Sequence, residues 1–186
     1  MPVVDIAQHM IPAIAGDGSH YPIEKLEAHR RAIQHLAVSV FVFSGDQLLL
    51  QRRASGKYHC GGLWANSCCS HPYWNEPIDV AAERRLSEEL GLDLALIPGA
   101  VIDYSASVSD GLWENERVQV FYTHVDRQHL ALSADPDEVS EVRWASLDAI
   151  RADMAVNAAA YAPWFRIYME RWSELGIGAL GAKVAG

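Results

Sequence analysis

The stretch from Asn66 to Leu92 concentrates side chains that can carry out chemistry. It contains the following groups: a thiol at Cys69, an imidazole at His71, guanidinium groups at Arg84 and Arg85, and carboxylates at Glu88 and Glu89. A thiol can act as a nucleophile or an acid, and an imidazole is a common metal ligand. We therefore expect the rest of the chain to be organised around this stretch.

The first half of the stretch, which holds Cys69 and His71, is expected to be a loop, and the second half has the pattern of a helix. Pro77 suits the first helical position, and Gly91 suits the left-handed residue that ends a helix. A buried stripe is predicted at every fourth residue, Ala82, Leu86 and Leu90. Two pairs lie one turn apart on other faces, Arg84 with Glu88 and Arg85 with Glu89. Taken alone, such pairs are typical of an exposed salt-bridged surface, so distant segments must decide whether a site exists.

Two acids at the start of a predicted strand indicate a metal. Residues two apart on a strand share a face, so Glu114 and Glu116 point the same way, beside Val118 and Val120. Two like charges on an apolar face are unfavourable unless a cation compensates them. The alternative is an exposed strand end, which is commoner for an isolated Glu-x-Glu.

Histidines supply the remaining candidate ligands. Three imidazoles and two carboxylates would form a five-ligand site for Mn²⁺ or Zn²⁺: His29, His35, His71, Glu114 and Glu116. A competing structural zinc site would use Cys60, Cys68, Cys69 and His71. Adjacent cysteines have poor spacing for such a site, so the histidine–glutamate set is favoured.

Basic residues flank the glycine-containing loop from Ala54 to Trp64. Lys25, Arg53 and Lys57 lie around it in sequence, and Arg85 projects from the helix. Solvated charge is the default interpretation of each. A diphosphate would explain collecting them, because guanidinium groups bind phosphate oxygens bidentately and lysine acts as a point charge.

Apolar runs and turn signals predict one mixed-sheet domain of the α/β or α+β class. The predicted strands are Leu36 to Phe43, Gln47 to Arg52, Ala100 to Val108, Trp113 to Val125 and Glu141 to Trp144. Two later helices are predicted from Leu147 to Met154, capped by Ser146, and from Pro163 to Leu175. A short hairpin is predicted between Ile11 and Tyr21.

Composition restricts the function classes. The chain has 186 residues, 50% of them hydrophobic, and a formal charge of -9, which argues against a nucleic-acid partner. Its three cysteines, two of them adjacent, do not form a disulfide framework and favour a reducing compartment. Neither a signal peptide nor a membrane span is recognisable in the sequence. We expect a cytoplasmic protein that is a monomer or a weak homo-oligomer.

Two motifs then resemble a known family. Glu76, Arg84 and the segment Leu86-Ser-Glu-Glu-Leu-Gly-Leu look like the Nudix box, the loop–helix metal site of Nudix hydrolases. Ser70 stands where the box has glycine, and Arg85 stands where it has a glutamate that holds hydrolytic Mg²⁺. The same departures occur in the type 1 isopentenyl-diphosphate isomerase family. Cys69-Ser-His-Pro together with Glu114-Asn-Glu is far more specific for that family than the box alone, although Gly61-Gly62 replaces its frequent Pro-Gly.

This resemblance, over about residues 20 to 170, implies a fold, a reaction and residue roles. It implies a Nudix-like mixed β-sheet sandwiched between helices. The residues themselves divide the chain into an N-terminal extension at 1–20 that holds the hairpin, a catalytic domain at 21–175 and a frayed tail at 176–186. The reaction moves the double bond of isopentenyl diphosphate to give dimethylallyl diphosphate. The implied catalytic residues are Cys69, Glu116, Tyr104 and Trp164; the order of proton transfer between Cys69 and Glu116 is left open. By the same resemblance, Glu89 would hold a Mg²⁺ that bridges to the substrate diphosphate. The diphosphate itself would be bound by Lys25, Arg53, Lys57 and Arg85. The histidine–glutamate set would hold Mn²⁺ or Zn²⁺.

Two other functions remain as alternatives. A Nudix hydrolase of an organic diphosphate would need a carboxylate at position 85, where the sequence has Arg85. A binding module without activity would bind diphosphates without exchanging protons with solvent. Its weakness is that the chain keeps Cys69 and all five candidate metal ligands.

Overall fold

A mixed β-sheet carries six of the predicted site residues: His35, Arg53, Cys69, Tyr104, Glu114 and Glu116. The computed structural model describes residues 10–57, 59–109 and 111–178. The strands are β1 (Met10–Ile14), β2 (His20–Glu24), β3 (His35–Ser44), β4 (Gln47–Arg53), β5 (Trp64–Ala65), β6 (Cys68–Ser70), β7 (Ile97–Ser109), β8 (Leu112–His124) and β9 (Val139–Ser146). The helices are α1 (Lys25–Arg30), α2 (Ile78–Leu90), α3 (Leu147–Asn157) and α4 (Pro163–Glu170), with short 3-10 turns at Ala158–Ala160 and Trp172–Glu174.

Strand β3 lies at the centre of the sheet because it is paired along both edges. Strand β8 runs parallel to it over residues 35–43. Along the other edge, β1, β6 and β4 follow one another, all antiparallel to β3. Strand β7 extends the sheet beyond β8, and β9 extends it beyond β4. A strand covered on both faces reads as a nearly continuous apolar run, which is the pattern of residues 36–43.

Helices cover both faces of the sheet. On one face, Val38, Val40 and Val42 pack in a cluster with the α2 stripe. On the other, Phe41 and Phe43 pack with residues of α3 and α4. The predicted fold, a mixed sheet between helices, is therefore confirmed. Within the described part of the chain, no helix combines the length and apolarity needed to cross a bilayer.

The central helix agrees closely with its prediction. Ala82, Leu86 and Leu90 are each 0% exposed. Gly91 ends the helix with φ 66°, in the left-handed region that glycine adopts without strain. The helix begins at Ile78, so Pro77 lies one position before its predicted place. Ser146 caps α3 as predicted, through a bond from the Ala149 amide.

Other boundaries differ from the sequence-based expectation. The residues before Pro72 were expected to form a loop, but Cys68–Ser70 is strand β6, because β3 offers an unpaired edge there. Helix α4 ends at Glu170, and a 3-10 turn continues the chain toward Leu175. The predicted hairpin forms between β1 and β2. Strand β2 continues beyond residue 20, where the N-terminal extension was expected to end, and β1 pairs with β3 of the main sheet. From residue 179 onward, the predicted tail lies outside the described residues.

Candidate active site

Strand register aligns the reactive side chains. His35 on β3 lies across from Glu116 on β8, and Tyr104 on β7 lies across from the same glutamate. Strand β6 places Cys69 across from Ser39, four residues along β3 from His35. Because side chains two or four residues apart on a strand share a face, the imidazole, the carboxylate and the thiol emerge on the same side of the sheet.

A cavity lies on this side of the sheet. Its lining includes the predicted catalytic residues Cys69, Tyr104, Glu116 and Trp164 and the predicted diphosphate ligands Lys25, Arg53, Lys57 and Arg85. The predicted metal ligands His71, Glu89 and Glu114 also line it. His29 and His35 lie behind the wall and are fully buried. The fold thus brings every predicted site residue to one cavity or to the layer directly behind it.

Four of the predicted metal ligands form a compact group. One ligand atom from each of His29, His35, His71 and Glu116 lies within 4.8 Å of the others. His71 Nε2 is 3.1 Å from His35 Nε2 and 2.9 Å from Glu116 Oε1. An ion bound at about 2.1 Å from each ligand sets neighbouring octahedral ligands about 3.0 Å apart. The observed spacing therefore fits a divalent cation.

Backbone contacts fix the orientation of two of these imidazoles. His29 Nδ1 lies 2.7 Å from the Lys25 carbonyl, and His35 Nδ1 lies 2.7 Å from the Ile33 carbonyl. A carbonyl only accepts hydrogen bonds, so each Nδ1 donates and the lone pair of the neutral ring is on Nε2. His35 consequently turns a lone pair toward His71 and toward a carboxylate, an arrangement that a bound cation stabilises.

Burial keeps the imidazoles of His29 and His71 neutral, which is the form that binds metal. It lowers the pKa of His29 to about 4 and the pKa of His71 well below its ordinary value. Burial alone would raise the pKa of Glu116, but the neighbouring imidazoles of His35 and His71 outweigh it and hold this pKa well below the ordinary value. The donor set of the group is three imidazoles and one carboxylate.

Glu114, the fifth predicted ligand, belongs to a second group that overlaps the first. This group contains His29, His59 and Glu114, with ligand atoms within 4.8 Å of one another. The Tyr104 hydroxyl connects the two groups, at 2.9 Å from Glu114 and 2.7 Å from Glu116. Burial, together with the charge of Glu116, raises the pKa of Glu114 well above its ordinary value. The five predicted ligands are thus neighbours, divided between two groups that share His29.

The thiol of Cys69 is held in a defined direction. Asn66 donates its amide hydrogens to the carbonyls of Val40 and Cys68, which turns its Oδ1 toward Cys69 Sγ at 3.0 Å. The thiol therefore donates to Asn66. Ser39 Oγ lies 3.0 Å from the sulfur and 2.7 Å from the Tyr168 hydroxyl. Burial raises the pKa of the Cys69 thiol well above its ordinary value, so the thiol keeps its proton at neutral pH.

The other cysteines lie outside this arrangement. Cys68 is buried on the opposite face of the sheet, in the cluster of α2. The Cys60 thiol donates a hydrogen bond to the Val108 carbonyl, with the sulfur 3.2 Å from the oxygen. The metal-ligand groups found among the described residues include no cysteine, so the alternative of a structural zinc site is not supported. Packing accounts for Cys68, and packing with one hydrogen bond accounts for Cys60.

The basic wall of the cavity contains a carboxylate that the sequence analysis missed. Glu138 pairs with Lys57 and lies 3.4 Å from Arg85. Arg85 also contacts Glu89 at 2.5 Å. Burial, reinforced by the charges of the neighbouring cations, lowers the pKa of Lys25 to about 8. Cations crowded to this degree are stabilised by an anionic ligand.

Glu89 lies on this basic wall and outside both histidine groups. It is 2% exposed, and Gln51 Nε2 donates to its Oε2 at 2.8 Å. Its other oxygen accepts from Arg85. This position agrees with its separate assignment to a metal ion bound with the diphosphate, which stays a prediction.

Comparisons with known proteins identify relatives over nearly the whole chain. A family model described as the NUDIX domain matches residues 33–165. An isopentenyl-diphosphate Delta-isomerase of Rhodobacter capsulatus is 43% identical over 171 residues, covering 91% of this chain and 96% of that protein. One of Dinoroseobacter shibae is 45% identical over 169 residues, covering 90% and 95%. The crystal structure of DR0079 from Deinococcus radiodurans superimposes with a TM-score of 0.70 over 87% of this chain and 98% of that one; at 16% identity, it supports the fold alone.

Proposed function

We propose that this chain, which belongs to the NUDIX family and within it to the isopentenyl-diphosphate Delta-isomerases, converts isopentenyl diphosphate into dimethylallyl diphosphate. One observation carries the proposal: a single cavity is lined by a directed thiol, the buried carboxylates of Glu114 and Glu116, and a set of cationic side chains. The double bond moves when one proton is added to the terminal alkene carbon and another is removed from the carbon on the other side of the resulting tertiary cation. This chemistry needs an acid, a base and the exclusion of water.

Cys69 and Glu116 are assigned to the two proton transfers. Cys69 presents a protonated thiol whose direction is fixed by Asn66. Glu116 is a buried carboxylate whose oxygens contact His71 and Tyr104. Both side chains line the cavity, so both can reach a substrate bound there.

Trp164 is assigned to stabilising the cationic intermediate. It lies in the first turn of α4, is 2% exposed and lines the cavity. The amide of Ala162 donates to the Trp64 carbonyl at 2.9 Å, which fixes the start of the helix. The Arg53 guanidinium already lies 5.3 Å from the centre of the indole. The indole face thus accepts a cation in this structure, and such contacts contribute about 2 kcal/mol when desolvated.

Divalent ions complete the proposed site. The residues that would hold Mn²⁺ or Zn²⁺ are His29, His35, His71, Glu114 and Glu116, and Glu89 would hold Mg²⁺ together with the diphosphate. When bound, the first ion neutralises the paired carboxylates and sets the acidity of Glu116. Lys25, Arg53, Lys57 and Arg85 bind the diphosphate, which keeps the hydrocarbon part of the substrate directed inward. A cytoplasmic location and a monomer or weak homo-oligomer stay predictions from composition.

The test is nuclear magnetic resonance of isopentenyl diphosphate incubated with the protein, Mg²⁺ and Mn²⁺ in D₂O. We expect dimethylallyl diphosphate to accumulate with deuterium in its methyl groups, because the added proton comes from groups that exchange with solvent. Release of phosphate or of a monophosphate without isomerisation would indicate a hydrolase instead. Binding of the substrate with neither isomerisation nor deuterium uptake would indicate a binding module.

Replacing Arg85 by glutamine should raise KM for isopentenyl diphosphate about 10- to 100-fold, since a hydrogen bond to a charged group contributes about 1.5–3 kcal/mol. The change also leaves Glu89 and Glu138 without a shared cation, so their charges repel the incoming diphosphate. Steady-state kinetics measures the effect. The matched control is Arg117→Gln, which removes an exposed ion pair with Asp103 outside the cavity and should leave KM unchanged. An unchanged KM in Arg85→Gln would remove Arg85 from the diphosphate site.

A further inference from the structure

His59 lies in the metal cluster although no motif points to it. It belongs to the loop between β4 and β5, lines the cavity and is 5% exposed. Its Nε2 is 4.0 Å from Glu114 Oε1, and its ring stacks on His29 with centroids 5.7 Å apart. The edge-to-face contact with Trp164 places those two ring centroids 6.0 Å apart. His59 is therefore close to two predicted ligands, His29 and Glu114, and its ring contacts Trp164 in the wall of the cavity.

The backbone next to His59 is constrained in a way that directs this side chain inward. Cys60 has φ 53°, in the left-handed region that a non-glycine residue keeps only where the surrounding structure enforces it. The hydrogen bond from its thiol to the Val108 carbonyl helps hold that conformation. At Gly61 the loop approaches itself so closely that an added Cβ would lie 2.7 Å from the Ser55 carbonyl oxygen. Strain retained beside a buried histidine is typical of a functional position.

We propose that His59 is a sixth ligand of the ion held by the histidine–glutamate cluster, completing a shell of four imidazoles and two carboxylates. The ligands of this shell are His29, His35, His59, His71, Glu114 and Glu116. The inference rests on the proposed function only in taking this cluster as the metal centre of that reaction.

One ion explains the two overlapping groups better than two ions do. His29 belongs to both groups, but its Nδ1 donates to the Lys25 carbonyl, so the neutral ring has a lone pair on Nε2 alone and cannot bridge two metals. Two carboxylates neutralise one divalent ion. A second ion would leave two uncompensated charges beside the cationic wall that contains Arg53.

A single ion requires the two ligand groups to come closer on binding. Opposite ligands of an octahedral ion lie about 4.2 Å apart, twice a bond of about 2.1 Å. Ligand atoms within each group lie inside 4.8 Å, and binding of one ion would draw the two groups together around it. Six protein ligands leave no position for water. Such a closed shell holds its ligands in place and does not activate a solvent molecule.

The test uses the full chain, loaded with Co²⁺ or Mn²⁺ alone, without substrate. We expect both wild type and His59→Ala to bind one equivalent of metal per chain. The metal affinity of the variant should be lower by roughly 10- to 100-fold or more, because the loss of a residue that only supports a metal ligand already costs that much. Equilibrium dialysis measures stoichiometry and affinity. The visible absorption of Co²⁺ should become more intense in His59→Ala, because five-coordinate Co²⁺ absorbs more strongly than six-coordinate. The matched control is His129→Ala, which removes a histidine whose side chain is 83% exposed.

Several outcomes would overturn the proposal. Equal affinity and equal Co²⁺ spectra in His59→Ala and wild type would exclude His59 from the shell. Two equivalents bound by wild type and one by His59→Ala would replace the single ion by two. If His59→Ala does not fold, a crystal structure of the Zn²⁺-loaded wild type decides: a metal–Nε2 distance to His59 within about 2.3 Å supports ligation, and a distance beyond about 3 Å contradicts it. Because these readouts need no turnover, loss of the proposed isomerase activity would not affect them.

Discussion

Cys69→Ala is expected to lower kcat by about 10²–10⁴-fold, which is the contribution of a positioned acid or base, while the protein stays folded. The physical reason is that alanine cannot donate or accept the proton that the thiol exchanges. Asn66 and Ser39 each lose a 3.0 Å hydrogen bond with the sulfur of Cys69. Other hydrogen bonds still hold both side chains, so the cavity should keep its shape. The measurement is steady-state isomerisation of isopentenyl diphosphate, with a thermal melt to confirm folding.

The neighbouring cysteine provides the control for this prediction. Cys68→Ala removes the same side chain one residue earlier, but Cys68 packs on the opposite face of the sheet. It should reduce stability by a few kcal/mol at most and leave kcat near the wild-type value. Cys69→Ser adds a second comparison, because serine keeps the hydrogen bonds but is a far weaker acid. If Cys69→Ala or Cys69→Ser turned over at the wild-type rate, the thiol would have no role in proton transfer.

The parts of the fold that sequence predicts are those with local signals. The α2 stripe and Gly91 are encoded within fourteen successive positions, and the structure confirms them. Strand β6 has only three residues and carries no periodicity of its own. It forms because β3 presents an edge between its pairings with β1 and β4, which is a property of the assembled sheet. Cys69 was therefore expected in a loop, although its position in the cavity depends on a strand.

The same distinction applies to the site. The candidate ligands were recognisable because Glu114 and Glu116 share a strand face and because they carry a family resemblance. His59 had no such signal, since the loop path that turns it inward is set by the φ of Cys60 and the close approach at Gly61. Glu138 reaches the basic wall because the adjacent Val139 on β9 pairs with Arg53 on β4, a contact between segments far apart in sequence.

Polar residues inside apolar strands were an available signal that the sequence analysis did not use. Ser39 interrupts the apolar run of β3 and is buried, and its hydroxyl joins Cys69 to Tyr168. Gln51 is likewise buried within β4 and donates to Glu89. Because a buried polar group needs a hydrogen-bond partner, each such residue predicts a polar site on its face of the sheet. Both residues support groups assigned to the site.

Glu116→Gln is expected to abolish turnover through two separable effects. Glutamine has nearly the same shape as glutamate, but its amide cannot accept and release a proton as a carboxyl group does. The value of kcat should therefore fall by about 10²–10⁴-fold. The loss of a negative charge also weakens metal binding, because Glu114 is left as the only carboxylate in the paired groups. Kinetics at saturating Mn²⁺, with the bound metal measured directly, separates the two effects.

The metal-saturated rate decides the role of Glu116. If the loaded variant stays inactive, the carboxyl group takes part in proton transfer as well as in ligation, as its contacts with both His71 and Tyr104 suggest. If saturating Mn²⁺ restores the wild-type rate, Glu116 is a ligand only and its assignment to proton transfer is wrong. Glu141→Gln serves as the control, because that side chain is 55% exposed on β9 and does not line the cavity, so neither metal affinity nor kcat should change.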